Sequence, residues 1–203
     1  MPLSLNEDQI DCLQELMNIA YGSATASLAE IIGKSAKLGI PTITTYNSDE
    51  FEEYCDKKFD AHGCCYLVNQ KIDGTLSGEN LFIMDKRSTV NLAKEFGLDD
   101  DEIVEEELKD IVLEITNIIS STTLSKLASL MDASIIFSPP NIKNIDTILN
   151  FSDKYKTQYK FIIVISTEII FEEQNIYGEL IIMSKDESIE FMKNALDKLL
   201  DEY

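Results

Sequence analysis

The chain has 203 residues, 44% apolar and 27% charged, which is long enough for a packed core, and no run of eighteen or more apolar residues marks a membrane span. Acidic residues outnumber basic ones by 37 to 17, giving a net charge of −20. That sign repels phosphate backbones and anionic lipid, so neither nucleic acid nor a membrane surface is an expected partner; the charge serves solubility and favours a partner with a basic face.

The N-terminus, MPLSLNEDQID, has no basic flank and no apolar signal core, which predicts a cytoplasmic protein. Leu5 to Ile32 reads as one long helix, capped by Asn6 or Asp8 and ended by Gly33. Ile10, Leu13, Met17, Ala20, Ala24, Leu28 and Ile31 recur at three- and four-residue steps as a buried stripe. Asp11, Glu15 and Asn18 share another face, with Glu15 about 200° around from Leu13 at 100° per residue. Gly22 interrupts the helix among small residues, which predicts close approach of another backbone, that of the partner helix in the repeat described below.

Leu38 to Tyr46 reads as a strand containing Pro41, which belongs near a strand start, an edge or a bulge. Asn47 to Lys58 is acidic and polar and reads as a loop. Two strands follow, Gly63 to Ile72 and Thr75 to Met84, with Asp73-Gly74 as the hairpin turn signal. Lys86 to Phe96 is a short amphipathic helix ending at Gly97. The order then repeats. Glu105 to Leu130 is a second long helix, with Leu108, Ile111, Val112, Ile115, Ile118, Ile119 and Leu127 on its apolar side. Ala133 to Phe137 is a strand running into Pro139-Pro140, and Asn141 to Lys154 is a polar connection. Tyr159 to Ile170 and Ile176 to Met183 are strands, and Ser188 to Leu200 is the closing helix.

Two copies of one pattern organise these elements. Asp11, Glu15, Asn18 and Pro41 are followed, each 99 positions later, by Asp110, Glu114, Asn117 and Pro140. Gly78-Glu79-Asn80-Leu81 also aligns with Gly178-Glu179-Leu180 after one gap, leaving Met84 and Met183 again 99 apart. The predicted fold is therefore α+β, a tandem duplication of αβββα halves, about 1–98 and 99–203, that share one β-sheet beneath two long surface helices of antiparallel type. No Pro/Gly/Ser-rich linker separates the halves, so a single domain is expected over 1–203 rather than two on a tether.

The four cysteines, Cys12, Cys55, Cys64 and Cys65, form no C-x-x-C pair, and adjacent Cys64 and Cys65 are poorly placed for a disulfide. With His62 as the lone histidine they lack the spacing of a zinc site, so they read as reduced packing thiols, with Cys65 and Leu67 on one strand face. No metal or cofactor of the chain's own is expected. One histidine cannot serve two sites, and there is no G-x-x-x-x-G-K-[ST] loop. A Glu and an Asn one turn apart are too sparse for a complete hydrolase, but they suffice to complete a partner's site. A carboxamide orients water by giving and accepting hydrogen bonds, and a carboxylate pairs with a lysine.

Asp11-x₃-Glu15-x₂-Asn18-x₂₂-Pro41 and its second copy resemble the signature of the CheC/CheX/FliY phosphatases of bacterial and archaeal chemotaxis, over nearly the whole chain. Two intact motifs resemble CheC rather than CheX, and the lack of an added C-terminal flagellar switch segment argues against full-length FliY. The resemblance implies a hydrolase acting on the aspartyl phosphate of a CheY-type response regulator in two-component signalling. Asn18 and Asn117 are implied to position the attacking water, and Glu15 and Glu114 to pair with the regulator's lysine. Asp11 and Asp110 are implied as supporting members, and Pro41 and Pro140 as structural ones. Mg²⁺ is expected on the regulator. CheD, a receptor deamidase, is a further implied partner, and a non-catalytic adaptor for CheD or for a flagellar switch component is the alternative. A monomer is expected, the duplication supplying the pairing. Tyr21, beside the first Asn, either narrows access to that site or packs.

Overall fold

The structure, a computed structural model, describes residues 4–33, 37–62, 65–145 and 161–201. Helix α1 (Glu7–Ile32) begins in a capping box: Asn6 accepts from the Gln9 amide while Gln9 accepts from that of Asn6. It ends where Gly33 turns left-handed at φ 70°, returning its N–H to Ala29. The apolar stripe is buried from Leu13 to Leu28, but it closes on Ile32, and Ile31 is exposed. The second long helix, α4 (Glu105–Leu130), has no side-chain cap; three glutamates fill its first turn, where the helix dipole favours them. Tyr66 Oη reaches Glu105 Oε2 at 3.0 Å and ties that turn to the sheet.

The strands are β1 (Lys37–Leu38), β2 (Thr42–Asn47), β3 (Cys65–Gly74), β4 (Gly78–Asp85), β5 (Ile135–Phe137), β6 (Asn141–Ile145), β7 (Phe161–Phe171) and β8 (Ile176–Ser184). Helix α2 (Ser48–His62) follows β2, α3 (Lys86–Glu95) follows β4 and α5 (Asp186–Asp201) follows β8. All eight strands form one sheet, ordered β1-β7-β8-β4-β3-β5, with β2 also on β7 and β6 also on β3. The outer strands are exchanged. Those of the first half pair with β7 of the second, Thr42 opposite Ser166, and those of the second pair with β3 of the first, Val68 opposite Ile142.

At the centre β4 runs antiparallel to β8, with Leu81 opposite Ile181. Glu79 faces Met183 and Glu179 faces Ile83, so a local twofold axis normal to the sheet passes through the Leu81–Ile181 pair. In these strands the halves therefore correspond at an offset of 100, Gly78 with Gly178 and Glu79 with Glu179. The alignment of Met84 with Met183 is corrected. Met84 packs under the helices and Met183 on the opposite face, because one residue of slip turns every side chain over. Both glutamates are 2% exposed and are held alike from the adjoining strands, Glu79 by Asn69 and Glu179 by Ser166.

The sheet has two apolar faces. Tyr66, Val68, Phe82, Met84, Ile165 and Ile182 belong to the main core with α1, α3, α4 and α5. The long helices pack on each other over this face. The twofold axis carries one onto the other with its direction reversed. On the far face Cys65, Leu67, Leu81, Ile83, Val164, Ile181 and Met183 gather around Phe51 of α2.

Several elements differ from the sequence reading. Within each half the proline strand is split in two, and in the first half the helix α2 follows it. Residues 48–58 are helix rather than loop, because Asn47 and Glu50 form a capping box at 3.0 Å in both directions and Phe51 is buried against the sheet. Asp73 and Gly74 are not a two-residue turn; the β3–β4 ladder stops at Ile72 opposite Gly78, and both residues pair with β5 instead. Asn141–Ile145 is a strand, and the rest of the expected connection to Lys154 lies outside the described residues, as do Gly63, Cys64, Tyr159 and Lys160. Gly22 is exposed, and a Cβ there meets no described atom within 4 Å outside its own helix backbone and chain neighbours, so no described helix packs against it. Gly78 is the glycine a close approach requires: its Cβ would lie 1.9 Å from the Met183 carbonyl oxygen.

Candidate functional site

Asp11, Glu15 and Asn18 stand on the outer side of α1, and Asp110, Glu114 and Asn117 on the outer side of α4; all six are exposed. At 100° per residue each trio spans about 60° of its helix. The opposite sides, Leu13, Met17 and Ala20 in α1 and Val112, Ile115 and Ile119 in α4, are buried in the core. The polar trio is therefore held by burial of the apolar stripe behind it and leaves no choice of helix rotation.

The prolines sit at matching breaks in the exchanged strands, Pro41 between β1 and β2 and Pro140 between β5 and β6. Having no N–H, a proline forfeits no ladder bond there. Each break is built the same way. Gly39 N donates to Glu168 O at 2.9 Å, and Ser138 N donates to Lys71 O at 3.0 Å. Thr167 Oγ1 donates to Gly39 O at 2.9 Å, and Gln70 Nε2 donates to Ser138 O at 3.0 Å. The anchoring strands are those of the other half, so each proline loop stands on a strand that its own half does not supply.

The two sites differ beside the helix. Gln14 Nε2 donates to Pro41 O at 3.1 Å, a direct tie from α1 to its proline. The corresponding residue of α4 is Leu113, half-buried against the core. Pro41 is buried and Pro140 half-buried. Beneath the first site Tyr21 is 3% exposed, so it packs and does not narrow access. Burial drives its phenol pKa far upward, against a smaller opposing effect of the Thr167 hydroxyl beside it. In α4 the same place is taken by Ser120, which accepts a hydrogen bond from the buried Asn80 of β4. Ile19 and Ile40, next in sequence to Asn18 and Pro41, are 42% and 82% exposed. They are apolar neighbours of the first site that sequence reasoning left out; in the second half the same places hold half-buried Ile118 and the exposed Pro139.

Among the described residues, no group of three or more His, Cys, Asp or Glu side chains is placed to hold a metal ion. Cys65 is buried in the far-face cluster and Cys12 is half-buried; neither is in a disulfide, and burial raises the Cys12 pKa. No described helix is long and apolar enough to cross a membrane. Chemically, each site offers a carboxylate and a carboxamide one turn apart on a rigid, open helix face. That suits reaching into another molecule better than enclosing a small substrate.

Residues 66–163 match the family model of the chemotaxis phosphatase CheX. No curated protein matches the sequence. Among solved structures, the chain is similar to FliY of Thermotoga maritima, with 21% identity, a TM-score of 0.70, and coverage of 96% of this chain and 98% of that one. It is also similar to CheX of Desulfovibrio desulfuricans, at 16% identity and TM-score 0.57 over 84% of this chain and 99% of that one. The middle domain of FliM from H. pylori has the same fold at 9% identity and TM-score 0.64, over 94% and 99% of the two chains. The resemblance read from the repeated motif and the α+β fold expected from it hold in these comparisons.

Proposed function

We propose, from the kinship of this chain with the CheC/CheX/FliY chemotaxis proteins in family model and fold, that it hydrolyses the aspartyl phosphate of a CheY-type response regulator. Within that family the two intact motifs make it most like CheC. The observation that carries the reading is the pair of exposed Glu/Asn sets, each on a core-locked helix and each beside a proline loop anchored by the same two hydrogen bonds.

Asn18 or Asn117 enters the regulator's site, and its carboxamide oxygen accepts a hydrogen bond from the attacking water. The water oxygen bonds to phosphorus as the P–O bond to the aspartate breaks. Carboxylate and inorganic phosphate leave, and the water's proton passes to phosphate or solvent. Glu15 or Glu114 accepts a hydrogen bond from the regulator's lysine and fixes the docking. Asp11 and Asp110 support the face, and Pro41 and Pro140 shape the adjoining loop. Mg²⁺ belongs to the regulator, where it neutralises the phosphoryl oxygens; the chain's own residues supply position and orientation. The protein acts as a cytoplasmic monomer, because its internal twofold axis already pairs two sites.

Because FliM middle domains share the fold, the distinction from an adaptor for CheD or a flagellar switch component rests on Asn18 and Asn117. The test is decay of a CheY-type aspartyl phosphate with Mg²⁺, with and without the protein. Acceleration that requires these asparagines supports the phosphatase. Binding without acceleration, with CheD present or absent, overturns it in favour of the adaptor.

A further inference from the structure

We propose that Gly22 sets the clearance between α1 and the bound regulator, so that the partner's chain passes against bare helix backbone one turn beyond Asn18. The inference rests on the phosphatase reading. Gly22 follows Asn18 by four residues and Glu15 by seven, so it continues the exposed line of Asp11, Glu15 and Asn18. A glycine inside a helix weakens it relative to alanine, and the described residues give no internal reason for keeping one. Gly22 is not among the glycines with positive φ, and α1 continues through it to Ile32. Outside its chain neighbours and its own helix backbone, no described atom lies within 4 Å of the position a Cβ would take. Its carbonyl is already engaged, accepting from Thr25 Oγ1 at 2.9 Å. No described residue of the chain takes up the space of the missing side chain, and we assign that space to the regulator.

The geometry of the reaction supplies the occupant. An asparagine side chain is short, so a phosphoryl group within its reach brings the regulator's own surface down onto the helix. One helical turn is about 5.4 Å, which puts Gly22 under that surface. At the second site the matching residue is Ser121, also small and half-buried, with its hydroxyl turned back to the Ile118 carbonyl at 3.4 Å. Both sites thus keep the helix low at the same place.

The test uses the full chain carrying Glu114→Arg with Asn117→Ala, which removes both docking and turnover at the second site, and a CheY-type regulator held in its phosphorylated form by beryllofluoride. Gly22→Ala is expected to raise the melting temperature by about 2–4 °C and yet weaken regulator binding severalfold. Gly22→Leu is expected to weaken binding about tenfold or more, with KM for the phosphorylated regulator rising further than kcat falls. A purely structural role would move stability and binding in the same direction. Unchanged affinity in Gly22→Leu overturns the proposal. Failure of this protein, with its second site disabled and Gly22 intact, to bind the regulator or to speed phosphate loss overturns the first-site phosphatase reading itself, and with it this inference.

Discussion

Gln14 and Pro41 are joined across 27 positions by a single hydrogen bond, Nε2 to carbonyl oxygen at 3.1 Å. It lies one residue before Glu15 and fixes the spacing between α1 and its proline loop. Since α4 has Leu113 at that position, the first site is held by a polar tie and the second by packing. Gln14→Ala should cost about 0.5–1.5 kcal/mol of stability, the net worth of an intramolecular hydrogen bond. It should lower first-site kcat/KM severalfold when assayed in Asn117→Ala protein, and leave the second site untouched in Asn18→Ala protein. Gln14→Leu, copying Leu113, should recover part of the loss; thermal melts and phosphate release read both effects.

Replacing either asparagine with alanine should silence one site and leave the other working. The double variant, Asn18→Ala with Asn117→Ala, should lose on the order of 10²–10³-fold in phosphatase rate, by comparison with loss of an oriented donor elsewhere. Both side chains are exposed, so melting temperatures should stay within about 2 °C of the parent. Full activity in a folded double variant would remove the proposed mechanism.

Glu15→Gln and Glu114→Gln keep shape and remove charge. Each should raise KM for the phosphorylated regulator about tenfold at its own site, with a smaller change in kcat. The parent protein, at a net charge of −20, should lose affinity for a basic-faced partner as salt increases, and the double Gln variant should lose less. Titrations at two ionic strengths measure this; identical salt slopes would argue against an ion pair in the docked state.

Gly78→Ala tests whether the halves stand or fall together. Its Cβ would meet the Met183 carbonyl oxygen at 1.9 Å, in the β4–β8 ladder. The backbone has to shift, and a loss of about 3 kcal/mol or more is expected. Both sites should weaken in parallel in urea, because β4 and β8 are the strands on which the two halves meet.

The cysteines give a further check. Cys12, with its pKa raised by burial, carries less thiolate than a free cysteine at neutral pH. Its alkylation, followed by peptide mass, should be slow at pH 7 and should still climb with pH above 9. Cys65, buried under α2, should react only on unfolding.

The repeat made much of this molecule legible. The six polar residues, both prolines and the bounds of α4 were readable because a 3.6-residue period and a doubled spacing are local or self-referential signals. The helix over 48–62 was missed although Asn47-x-x-Glu50 is a capping-box pattern and Phe51 and Tyr54 share a face; its acidic surface masked the apolar pair. The slip between Met84 and Met183 went unseen because identity of residues cannot report which face a strand side chain takes. Nor does a repeat reveal the exchange of outer strands. It tells which residues are equivalent, whereas pairing Thr42 with Ser166 rather than with its own half is decided by the assembled sheet.

That exchange has a consequence for how the protein is made. On the ribosome α1 emerges first, with its glutamate and asparagine already in place, but the strand that seats Pro41 lies beyond residue 160. The first site is thus the earliest translated and among the last completed. Until β7 arrives, the nascent first half has an unclaimed strand and an open sheet edge, the kind of surface on which chaperones act. Such long-range pairing also slows spontaneous folding. A chain truncated just before β7 would carry both motifs in full and still lack the strand that holds the first proline loop.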